Sequence, residues 1–271
     1  MPSMNSLQMS DNVAHQKGVF DSAYLNESYE RWSFHYTQDA LTRYVRDRRL
    51  NKATAYILRQ THLTLSDVRN WEVLIVCGGV GGEGTFFANR GFQSVTNSDF
   101  SENALKLCQR FDPRLKTLQL NAEHLDLPDN SFDLVVVQDG LHHLSRPVLG
   151  YTEMLRVSRK AIVVIEPHTG LVARVLGTKW ERHGQNVNYV FRWNHTILKQ
   201  VTRSYLLDSP CHVRVIRLWD HNPSIAALAG QFPKQLSVAV AKAAYGTLGL
   251  LPRLGNMMIG VVIKGLSQPF T

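Results

Sequence analysis

The stretch VLIVCGGVGGEG, Val73 to Gly84, is an apolar β-rich run that breaks into glycines. Such a pattern reads as a buried strand that turns sharply into a helix. The small residues let the backbone approach a ligand, and the start of the following helix offers it unpaired N–H groups. Gly79, Gly81 and Gly84 satisfy G-x-G-x-x-G, the spacing of a dinucleotide fingerprint. The same turn serves other nucleoside ligands, and in many proteins tight packing alone, so the ligand has to be read from the residues around it.

Eighteen residues beyond Gly81, a second apolar run ends in VTNSDF with Asp99. A carboxylate at that strand end is acceptor-only and suits the two hydroxyls of a ribose. Further runs at Lys116 to Leu120, Phe132 to Val137 and Ala161 to Ile165 each lead into a helical pattern or turn, as in βαβ units wound into a parallel sheet. Two closing strands follow, His212 to Trp219 and Met257 to Lys264. The expectation is an α/β fold with a seven-stranded doubly wound, Rossmann-like sheet. Ahead of it, residues 24–66 read as a helical cap and residues 1–23 as a flexible N-terminus. The stretch Leu176 to Trp193, rich in turn residues and aromatics, reads as a lid insertion reaching to about residue 207 before strand six.

The 271 residues suffice for a full core, and 44% hydrophobic with 19% charged residues is ordinary for a soluble globular chain. Cys77, Cys108 and Cys211 lack metal or disulfide spacing, so neither a zinc site nor a disulfide framework is expected. No secretory leader is visible and no run is long enough to span a membrane, which makes a cytoplasmic location the expectation. LSVAVAKAAYGTLGLLP, Leu236 to Pro252, reads as a packing helix ahead of a membrane-surface helix. The net charge of +8 favours anionic ligands, but the basic run Arg43 to Lys52 reads as a solvated helix face, and no nucleic-acid partner is expected.

The decisive residues lie downstream. LNAEHLDLPDNSFDLVVVQDGLHHL, Leu120 to Leu144, has a polar group after strand three, a Pro-Asp-Asn-Ser turn, a buried strand and a polar loop at its end. Together with the glycine loop, Asp99 and EMLRVSRKAIVVIEP, this order resembles the class I S-adenosylmethionine-dependent methyltransferases over about Val73 to Pro167. The resemblance implies that residues 67–271 bind S-adenosylmethionine. It implies the methionine moiety along Gly79 and Gly81, with Gln138 beside its amino group. It places the ribose on Asp99 and the adenine near Phe100, Asn121, Ala122 and Glu123. In the family an acid usually stands where this chain has Ile75, and a glycine where it has Cys77; Glu83 is the candidate replacement for that acid, with a solvated residue of the first helical turn as the alternative.

The cofactor that this resemblance implies carries an electrophilic methyl group, and an acceptor hydroxyl gains from a general base, whereas a neutral amine can do without one. The candidates are His143, His142 and His168, each with a packing or capping role as the alternative, while Glu166 reads as a loop brace. Trp32, Tyr36, Tyr189, Asp139 and Arg192 are the candidate substrate contacts, Arg192 with Arg182 for a substrate anion. The expected function is methyl transfer to a small molecule, first to oxygen of a natural product or sugar-containing metabolite, next to nitrogen of a small amine. A nicotinamide oxidoreductase and a non-catalytic protein of the same fold are the remote alternatives. The oligomeric state stays open, a homodimer included.

Overall fold

The computed structural model describes residues 11–25, 39–170, 179–183, 186–220 and 222–266. Nine strands are described: β1 (Glu72–Val76), β2 (Ser94–Asp99), β3 (Lys116–Gln119), β4 (Phe132–Gln138), β5 (Ser158–Pro167), β6 (Trp180–His183), β7 (Asn186–Tyr189), β8 (Cys211–Leu218) and β9 (Met257–Lys264). Seven form one sheet in the order β3-β2-β1-β4-β5-β9-β8, parallel from β3 to β5 and antiparallel where β9 meets β5 and β8. β6 and β7 pair as a separate antiparallel hairpin. The order reverses between β2–β1 and β4, the place where an open α/β sheet forms its ligand crevice.

The two-residue period of the strands divides the core. Val73, Ile75, Leu134, Val136, Val163 and Ile165 point to one face, and Leu74, Val76, Val135, Val137, Ile162 and Val164 to the other. The first face is covered by α2 (Ala40–Thr61) through Leu50, Ala53 and Ile57, by α3 (Leu65–Val68) through Val68, and by α4 (Gly82–Ala88) through Phe86 and Phe87. The second is covered by α6 (Pro147–Val157) through Tyr151, Met154 and Leu155, by α7 (His195–Leu206) through Leu198, and by the fully buried Trp193. α5 (Glu102–Phe111) joins β2 to β3, and α8 (Asn222–Gly230) and α9 (Lys234–Leu248) form a helical pair between β8 and β9.

Four expectations change. The N-terminal stretch taken as flexible is helical over Asp11–Tyr24, here α1. Within the expected cap, α2 is a sheet-covering helix, and residues 26–38 lie outside those described. In the expected lid, the β6–β7 hairpin is separate from the sheet, but α7 packs onto it. The basic run of α2 is not solvated, because Arg46, Arg48 and Arg49 are buried.

Burial of these guanidinium groups requires counter-charge. Arg48 Nη2 lies 3.0 Å from Asp220 Oδ1, and Arg49 Nε lies 2.8 Å from Asp220 Oδ2. Arg48 also donates to the Trp219 carbonyl and stacks 3.5 Å above the Tyr245 ring of α9, while Arg49 Nη1 reaches Asp139 beyond β4. One carboxylate thus ties the end of β8 to α2. Asp220→Ala, which removes the counter-charge that two buried arginines share, is expected to cost about 3–5 kcal/mol, read as a lowered midpoint in denaturant unfolding.

Candidate active site

A cavity of about 340 Å³ opens at the carboxyl ends of β1, β2 and β4. Its floor is the loop from β1 into α4, where Cys77, Gly79 and Gly81 all have positive φ, at 53°, 48° and 87°. A side chain at Gly81 would meet Cys108 Sγ at 2.4 Å, so this glycine serves close packing beneath the loop and does not line the cavity. Cys77 takes a backbone conformation that glycine adopts more readily. Burial and the nearby carboxylates raise its thiol pKa well above the ordinary value.

The loop is held by β2. Gly78 N–H donates to the Ser98 carbonyl, Asn97 Nδ2 donates to the Gly79 carbonyl, and Gly79 N–H donates to Asp99 Oδ2 at 2.9 Å. Asp99 Oδ1 accepts from Ser101 N–H, also at 2.9 Å. Burial pushes the Asp99 carboxyl up to about 6, against the pull of its backbone hydrogen bonds from Ser101 and Gly79. Each carboxylate oxygen keeps acceptor capacity beyond these bonds.

The opposite wall comes from β4 and the 3-10 turn Leu141–His143. Glu166, fully buried at the end of β5, accepts from the N–H groups of Gly140, Leu141 and His142 and pairs with His142 Nδ1 at 2.6 Å. It acts as the expected brace and commits His142 to the layer behind the cavity. His143 lines the cavity, its ring 4.1 Å from that of His142. Asp139 lines it too, with φ 55° and its carboxylate on Arg49.

Of the expected cofactor contacts, Gly79, Glu83, Asp99, Phe100, Asn121, Ala122, Glu123 and Gln138 all line the cavity. The Glu123 carboxylate is occupied by the backbone N–H and Nε of Arg146, and Asn121 Oδ1 accepts from Glu123 N–H. Glu83, in the first turn of α4, is buried and accepts from Gln138 Nε2 at 2.9 Å. Gln138 Oε1 is buried and has no hydrogen-bond partner among the described residues.

Three expected residues stand elsewhere. His168 is buried against the Trp193 carbonyl, to which its Nδ1 donates at 2.9 Å, and its N–H donates to the Asn256 carbonyl. This is a fastening of the segment before α7, off the cavity. Tyr189 is exposed on the hairpin, edge-on to Trp180, and Arg192 does not line the cavity either. Trp32, Tyr36 and the Arg182 side chain lie outside those described. Among the described residues, no group of three or more His, Cys, Asp or Glu is placed to hold a metal ion.

The sequence reading missed α1. Phe20 and Tyr24 line the cavity, and Phe20 sits 5.8 Å from the Phe100 ring and 6.0 Å from that of His143. Asp21 Oδ1 accepts from Ser101 Oγ, the side chain that caps α5, and the Asp21 carbonyl accepts from Asn103 Nδ2. These contacts hold the helix across the crevice beside Phe100.

Residues 75–165 match a family model described as a methyltransferase domain. A demethylmenaquinone methyltransferase of Renibacterium salmoninarum is 36% identical over 87 residues, 32% of this chain and 36% of that protein, so the chain spans about a third of the length of this curated relative. Among solved structures, the magnesium protoporphyrin IX methyltransferase of Synechocystis PCC 6803, with bound S-adenosylhomocysteine, superposes with a TM-score of 0.58 at 11% identity, covering 94% of this chain and 100% of that one. An S-adenosylmethionine-dependent methyltransferase from Thermotoga maritima gives 0.53 at 15% identity over 92% and 99% of the two chains. These structures share the fold. The strand order is therefore that of the class I methyltransferase fold, and within it residues 75–165 match the methyltransferase domain.

Proposed function

We propose that the chain transfers a methyl group from S-adenosylmethionine to an oxygen of a small-molecule acceptor, a natural product or sugar-containing metabolite. The observation that carries this is the buried Gln138 Oε1, without a hydrogen-bond partner among the described residues, beside the buried Glu83 carboxylate, two acceptor side chains that line one end of the cavity. They suit the ammonium of the methionine moiety and supply the acid absent at Ile75. Asp99 suits the ribose diol, and Phe20, Phe100, Leu120 and Ala122 offer an apolar seat for the adenine.

Bound there, the cofactor supplies a methyl group activated by its sulfonium. The chain's part is to hold the acceptor in line, to exclude water and to take the proton that its hydroxyl loses. His143 is the group placed for that proton, since it lines the cavity while His142 is tied to Glu166 behind it. An amine acceptor is favoured by the aromatic rings and by Asp139, but Arg49 already neutralises that carboxylate, which leaves oxygen the stronger reading. His143→Gln is therefore expected to lower kcat about 10²- to 10⁴-fold without loss of S-adenosylhomocysteine binding. An unchanged kcat would favour the amine.

S-adenosylhomocysteine at about a hundred times its Kd is expected to stabilise the fold by about 2.7 kcal/mol, visible as a rise in Tm. No shift would overturn the proposal. Glu83→Gln is expected to weaken that binding by about tenfold or more, which calorimetry would measure. The pH dependence follows from Asp99. Its folded-state value of about 6 lies above the ordinary carboxylate value, so for the ligand-free fold its contribution to stability is fully present below that ordinary value and is lost as pH rises through about 6. Ribose binding needs the ionised form, so affinity is expected to decline as pH falls below about 6, approaching about tenfold per unit, in titrations across that range. Asp99→Asn should bind weakly at every pH and lose this slope.

A further inference from the structure

The α8–α9 pair is not absorbed by the cofactor site. Its buried side is small: Ile225, Ala229, Ala241 and Tyr245 pack with Val45 of α2. Its outer side keeps large apolar groups in solvent, namely Leu228, Phe232, Leu236, Leu250 and Leu251, from 42% to 78% exposed. Along α9 and the turn after it, Leu236, Ala239, Ala243, Gly246 and Leu250 are all exposed at alternating spacings of three and four, one continuous face, and among the described side chains of α9 the exposed polar ones are Lys242 and Thr247. Exposed leucines singly are ordinary, whereas a clustered apolar face signals a partner.

Charge identifies the partner. Between Asp220 and the start of β9 at Met257 the sequence holds no acidic residue; its lysines and arginine are Lys234 at the start of α9, Lys242 on the exposed side of that helix and Arg253 in the turn after it. Two copies meeting through this face would bring like charges together, on a chain whose net charge is already +8. Apolar side chains among basic residues without acids instead match the headgroup region of an anionic bilayer. At 15 residues, α9 is about 22 Å long, enough to lie along such a surface. No helix among the described residues is long and apolar enough to cross one.

Position supports the same partner. β8 runs parallel to β5, so the pair leaves the sheet at Leu218 and rejoins it at Met257, both on the edge that carries the cavity. Arg49 bridges Asp220 at the root of the pair and Asp139 in the cavity wall. We propose that the α8–α9 pair is a membrane-surface docking element that sets the cavity edge of the protein against an anionic bilayer.

The test is sedimentation of the full chain with vesicles of phosphatidylglycerol and phosphatidylcholine, and with phosphatidylcholine alone. Binding is expected with the anionic vesicles and to weaken in high salt. Partitioning is expected to fall about tenfold or more for Phe232→Glu with Leu236→Glu, and likewise for Leu250→Glu with Leu251→Glu. The exposed Leu118→Glu, on the far edge strand β3, should bind as the parent does. Tm and the S-adenosylhomocysteine shift, measured on every variant, separate lost docking from lost folding. Absence of vesicle binding, binding indifferent to both pairs, or a parent dimer that the Phe232 and Leu236 changes dissociate would each overturn the proposal. Vesicle binding needs no cofactor, so failure of the methyl-transfer reading would leave this result standing.

Discussion

A single buried carboxylate organises the cofactor end of this protein. Asp99 has one oxygen on the N–H of Gly79 and the other on that of Ser101, so the first glycine loop and the start of α5 are referenced to one point. Keeping a charge there is costly, as its raised pKa records, and the cost is offset only while those N–H groups stay aligned. The positive-φ turns at Cys77, Gly79 and Gly81 and the packing of Gly81 on Cys108 are conditions for that alignment. The loop is thus built to present a polar group that would otherwise be expelled from the interior.

Glu166 does the same at the other wall. It gathers three backbone N–H groups and the His142 ring, fixing the turn from which His143 enters the cavity. Each wall therefore depends on one carboxylate that satisfies backbone donors, an arrangement that fixes both main chains before any ligand arrives. Two adjacent histidines with similar sequence context acquire different positions, one committed to Glu166 and one lining the cavity.

Much of this was legible in the sequence, because strands buried on both faces print as apolar runs and the sheet order follows from their crossovers. All seven sheet strands lie within a few residues of their expected places, and eight residues from Gly79 to Gln138 that the resemblance proposed as cofactor contacts line one cavity. What was not legible depended on contacts distant in the chain. α1 has weak periodicity of its own and is held by Ser101 and Asn103, some eighty residues away. The arginines of α2 read as surface because Asp220 lies about 170 residues further on. His168 looked like a site residue because strand ends at that edge often are; only the Trp193 carbonyl shows what it bonds.

Cys77 lines the cavity where the fold usually places glycine, and its thiol stands among the carboxylates of Asp99, Glu166 and Glu123. A free thiol beside a cofactor would ordinarily be a weak point for oxidation and alkylation, both of which proceed through the thiolate. Here burial and the surrounding negative charge suppress that form. The loop thus carries a cysteine held in the thiol form, the form that oxidants and alkylating agents attack least readily.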